Sequence, residues 1–81
     1  MSIERAAMMG KLAEAKEKKN RLKNKFEALS TAIRMRINTA ITPVEDIRMD
    51  ELSPMWSDME LVWAEILGLN SEIDKIERML G

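Results

Sequence analysis

The chain has 81 residues, 13 lysines and arginines against 14 aspartates and glutamates, and neither cysteine nor histidine. A chain of this length makes one small domain, stable only with very regular helix packing or a second protomer. The missing residue types exclude a disulfide framework, a thiolate metal site, a cysteine nucleophile, the commonest general base and an ordinary pH switch near neutrality, which leaves chemistry to carboxylates, lysines and hydroxyls.

Residues 2–41 contain no proline and are rich in Ala, Lys, Glu, Leu and Met, all good helix formers, which predicts a helix over 2–41 with Ser2 as its N-cap. In a heptad frame its core positions are Met8, Leu12, Ala15, Lys19, Leu22, Phe26, Leu29, Ile33, Arg36 and Ala40. Two of these are charged. Arg36 stands near the helix end, where its stem can lie on the core with its head in water. Lys19 stands mid-seam, where a polar residue costs stability and fixes register.

Thr42-Pro43-Val44-Glu45 has the form of a capping box with proline at the first helical position, and Ser53-Pro54 offers a second cap and a second first-turn proline. The stretch 42–53 is therefore expected to be a connection, either one short helical turn or an irregular segment, that carries Ile47 and Leu52 back onto the core. A second helix is predicted over 54–80. Its seam, continuing from Leu52 through Met55, Met59, Val62, Ile66, Leu69, Ile73 and Ile76 to Leu80, has no polar interruption, so this helix is built to lie along another. No strand pattern or repeat is present. No apolar run approaches the ~20 residues of a membrane span. The first residues lack the apolar core of a signal peptide, and a cytoplasmic protein is expected.

Charge decides how the seams meet. Residues 1–42 hold ten basic against four acidic residues, and 43–81 hold three against ten, so the halves attract. An antiparallel hairpin pairs Met8 with Leu80, Leu12 with Ile76, Ala15 with Ile73, Leu22 with Ile66, Phe26 with Val62, Leu29 with Met59 and Ile33 with Met55. In that register Lys25 faces Glu65, Lys18 faces Glu72 and Lys16 faces Glu77. Exposed pairs of this kind contribute about 0.2–1 kcal/mol each and select register more than they stabilise. A further apolar stripe, Trp56, Trp63 and Leu67 with Ile37 and Met9, is too wide for a two-stranded coil and predicts a homodimer interface. The expected fold is thus all-α: a single coiled-coil-like antiparallel helical hairpin over 1–81 that dimerises into a four-helix bundle.

Functional signals are sparse. The stretch 16–25 carries six positive charges and one negative, and Lys19, Arg21 and Lys23 are candidate weak nucleic-acid contacts, although no aromatic residue is interleaved among them. Asp46, Asp50 and Glu51, beside Glu45, lack the glycine turn and ligand spacing of a calcium loop and suit a helix N-terminus. Ser30, Thr31, Ser53 and Ser57 have no histidine to activate them. No catalytic residue, metal ligand or cofactor is expected. Met8, Met55 and Met59 read as core filler, with Met35 and Met49 freer. Gly68 marks either a close helix approach or mere tolerance. These residues point to a non-enzymatic protein–protein interaction or assembly module. The alternative from the residues is a nucleic-acid-binding accessory protein using residues 16–25.

The opening run from Met8 to Lys18, the Thr-Ala-Ile-Thr-Pro-Val-Glu-Asp-Ile connection from Thr39 to Ile47 and the closing Ile-x-x-Ile-Glu-x-x-Leu seam resemble small helical-hairpin proteins of bacteria and of Mu-like prophages. The resemblance implies a bacterial cytoplasmic setting and a phage accessory role, with a phage-encoded inhibitor of a host protein as a further alternative, and it carries over no catalytic residue.

Overall fold

The structure, a computed structural model, describes residues 2–81. Helix α1 (Ile3–Arg36) is followed by a single 3-10 turn, Val44–Asp46, and by helix α2 (Met49–Leu80). The two helices fold back on each other as an antiparallel hairpin, a rod of 62 × 16 × 15 Å. Among the described residues there is no strand, and no helix is long and apolar enough to cross a membrane.

Helix α1 starts where expected. The Ser2 hydroxyl accepts from the Arg5 backbone N–H at 3.0 Å, satisfying one of the free amides of the first turn. The helix ends earlier than expected, at Arg36. Asn38 is the cause: its side-chain oxygen accepts from the Ala40 N–H at 3.0 Å while its carbonyl accepts from both Ile41 and Thr42, so the chain turns there. Ala40 therefore lies beyond the seam, and Arg36 leaves it to bind Glu51 at 2.7 Å.

The connection is 37–48 and not 42–53. Pro43 does open a helical turn, with the Asp46 N–H donating to its carbonyl at 2.9 Å, but no side chain caps it, so the Thr42 capping box does not form. Ile47 is half-buried and Leu52 buried, which brings the chain back onto the core as anticipated.

Helix α2 begins at Met49, five residues before the predicted start, and Pro54 lies inside it. Starting early places Leu52 on the seam in helical register. Its burial is worth about 1.5–3 kcal/mol, comparable with the ~3 kcal/mol cost of an interior proline. Two arginines hold this first turn: Arg48 reaches Asp50 at 2.9 Å, and Arg36 reaches Glu51. At the far end the Arg5 guanidinium donates to the Leu80 carbonyl at 3.0 Å, tying the start of α1 to the end of α2.

Between the helices the seams meet as the heptads require. All nine seam positions of α2 are buried or half-buried, with Val62 the most enclosed at 4% exposure. On α1 the seam is buried or half-buried from Met8 through Ile33, Lys19 included. Ala15 packs with Leu69 and Ile73, and Leu12 and Leu22 close over them. Of the three expected cross-helix ion pairs, Lys16 and Glu77 meet at 3.7 Å. Lys18 with Glu72 and Lys25 with Glu65 do not close among the described residues; exposed pairs of this kind gain little by closing, and Lys16 with Glu77 is as exposed, so the three differ in geometry and not in burial. Gly68 stands in open space, so it marks no close helix approach.

Candidate interaction surface

One side of the hairpin carries a continuous shallow groove, built by the residues that flank the two seams. At the loop end Ile33 and Ile37 of α1 and Met49, Leu52 and Trp56 of α2 line an apolar hollow. It continues through Trp56, Met59 and Phe26 to Trp63. Beyond Trp63 the lining becomes basic on α1, with Lys23 and Lys19 beside Phe26, Ile66 and Asn70. Nearest the termini Lys16 and Lys19 stand across from Asp74 and Glu77.

Helical spacing explains this grouping. Met49, Trp56, Trp63, Asn70 and Glu77 recur every seven residues and so share one stripe of α2, while Lys16 and Lys23 share one of α1. Trp56 and Trp63 are 57% and 55% exposed. The Trp56 indole N–H donates to Glu60 at 3.1 Å, which satisfies its polar edge within its own helix and leaves the ring face open to the groove. Of the five residues expected at a dimer interface, Trp56, Trp63 and Ile37 line the groove. Leu67, one turn beyond Trp63, and Met9, two turns before Lys16, flank it and are each nearly half exposed.

The expected cationic trio separates. Lys19 and Lys23, four residues apart, enter the groove together, whereas Arg21 lies on another side of the helix and pairs with Glu17 at 2.9 Å. The fold also supplies what the stretch 16–25 lacks by itself, an exposed aromatic residue, Trp63, brought alongside from α2. Its proximity follows from hairpin register, which no local spacing within 16–25 encodes. Lys16 was reachable from sequence, being a helical turn from Lys19 on the same side.

The acidic cluster at the start of α2 is committed to arginines. Hydrogen bonding to Arg48 holds the Asp50 carboxyl below its ordinary value, and the same bond pushes the Arg48 guanidinium up. Glu51 binds Arg36 and approaches Arg48. Among the described residues no group of three or more carboxylates stands close enough to hold a metal ion. Compared with protein-family models, with curated proteins and with solved structures, the chain matches none.

Proposed function

We propose that this chain is a non-enzymatic assembly module that works by self-association through its aromatic groove, two hairpins forming a four-helix bundle. The observation that carries the reading is incomplete burial: among the described residues no side chain is fully enclosed, while both tryptophans stand open on one face. The hairpin exposes 6313 Å². A compact monomer of 9.3 kDa exposes about 5,000 Å². The excess is larger than the ~800 Å² per partner of a standard interface.

The tryptophans dominate the energetics. Burying one completely removes about 150–250 Å² from water; with nearly half already covered, the remainder is worth roughly 2–3 kcal/mol per ring. Four rings in a pair thus give on the order of 10 kcal/mol before the association cost of about 4–15 kcal/mol. The balance is close enough that one ring per protomer decides it. Light scattering over a dilution series is expected to give a dimer at micromolar concentration, with a melting temperature that rises with concentration. Trp63→Lys is expected to give a monomer of lower melting temperature. A wild-type monomer with a concentration-independent melting temperature overturns the reading.

A second reading has its own observation in the meeting of Lys19, Lys23 and Trp63 in one groove, the combination that single-stranded nucleic acids use for backbone and base contacts. Weak binding that weakens further between low and physiological salt, and is lost in Lys23→Glu, is the expected result if the groove serves nucleic acid. A bacterial setting, an accessory role in a prophage and inhibition of a host protein rest on the resemblance alone and are proposals on that footing.

A further inference from the structure

We infer that the second copy docks with both loops at the same end of the bundle, laying α1 of each protomer on α2 of its partner. The inference rests on the self-association reading and adds the arrangement that reading leaves open. Two identical hairpins can stack groove to groove about a two-fold axis in two ways. An axis along the rod keeps the loops together and puts unlike helices in contact. An axis across the rod sends the loops to opposite ends and puts α1 on α1 and α2 on α2.

Charge separates the two. Helix α1 carries ten basic and four acidic residues, a net of +6, and α2 carries two basic and eight acidic residues, a net of −6. Loops together, every neighbouring pair of helices around the bundle is opposite in charge and antiparallel. Loops apart, the new contacts are basic on basic and acidic on acidic, and juxtaposed like charges suppress such pairings.

The pattern along the groove points the same way. Its loop half is apolar, lined by Ile37, Met49, Trp56 and Trp63, and its terminal half is charged, with Lys16 and Lys19 against Asp74 and Glu77. With the loops together, the apolar half covers the apolar half. With them apart and the rods fully overlapped, Trp56 comes instead to the charged stretch of the opposite α2, at the level of the partner's Asp74. Lys19 sharpens the point, since it is half-buried in mid-seam and makes no ion pair among the described residues, as is true of Asp74. The loops-together bundle sets the partner's Asp74 across the groove at the level of Lys16 and Lys19. One pairing runs against it: Glu27 comes to the level of the partner's Glu60, whose carboxylate already accepts from the Trp56 indole.

Distance measurement between spin labels tests the arrangement, and the absence of native cysteine confines each label to the introduced site. Ala40→Cys marks the loop tip and Met79→Cys the opposite end, both exposed and outside the groove lining. Each singly labelled variant is expected to give a dimeric mass by light scattering. Its label-to-label distance is expected within about 30 Å, as helix layers 8–10 Å apart allow. Fully overlapped rods with opposed loops would instead separate both pairs by roughly the length of the 62 Å rod. Rods overlapped only by their loop halves would separate the residue-40 labels by about half the 62 Å rod and the residue-79 labels by more than its length. A long distance at either site in a dimer overturns the arrangement alone. A monomeric mass in both labelled variants and in the unlabelled chain overturns the arrangement and the self-association together.

Discussion

The two halves of the rod solve the same packing problem differently. Toward the termini, Ala15, Leu69, Ile73 and Ile76 are buried, and the stripes on the groove side of the seam carry Lys16, Asp74 and Glu77. Toward the loop the seam is also closed, at Ile33, Leu52 and Val62, but its flanks are Trp56, Trp63, Ile37 and Met49, all exposed. A two-helix seam covers one stripe on each helix. Where the neighbouring stripe is charged, two helices suffice; where it is aromatic, two helices leave apolar surface exposed. The terminal half is therefore finished as a hairpin, whereas the loop half leaves its aromatic stripe open, the stripe that the proposed self-association would cover.

The largest expected effect breaks the comparison directly. Ile73→Ala removes a buried side chain from the Ala15 and Leu69 cluster and is expected to cost about 2–4 kcal/mol in urea unfolding, as for other large-to-small core changes. Ile37→Ala, in the half-exposed hollow, is expected to cost less than about 1 kcal/mol under dilute conditions where chains are monomeric. Equal losses at the two sites would mean that the loop half is as complete as the terminal half.

The next effect has the opposite sign. Pro54 lies inside α2, where it supplies no N–H to the helical ladder, and its neighbour Leu52 is already buried. Pro54→Ala is expected to stabilise the protein by about 1–3 kcal/mol, since the proline brings no buried contact that alanine would forfeit. A loss of stability would show that Pro54 shapes the entry to the groove, and the weakness of the loop half would then lie in its side chains alone.

That proline also shows where the sequence misleads. Ser53-Pro54 has every local mark of a helix start, yet the helix runs back through it because Leu52 continues the seam and only a helical backbone puts it there. The apolar period carried the information and the local signal did not. At the end of α1 the reverse holds: Ala40 fits the period, but the Asn38 side chain captures the Ala40 N–H and turns the chain. The seams, the hairpin and the uncovered tryptophans are legible because heptad spacing is a long-range pattern that many residues repeat. The grouping of Trp63 with Lys19 and Lys23 is harder to see, since it needs register and face together. The split between Arg21 and its neighbours needed nothing beyond helical spacing.

The smallest effect concerns the ion pairs on the finished half. Lys16 and Glu77 meet at 3.7 Å, whereas Lys18 and Glu72 line a common hollow without closing. Both pairs have the right signs and both are exposed, so their difference isolates geometry from charge. A double-mutant cycle on Lys16 and Glu77 is expected to give a coupling of about 0.2–1 kcal/mol at low salt that fades as salt is raised. The same cycle on Lys18 and Glu72 is expected to give a coupling near zero. If the second coupling matched the first, the long side chains would be sampling paired states on both sides of the rod. Register would then be held by the diffuse attraction between a basic and an acidic helix and not by one specific contact.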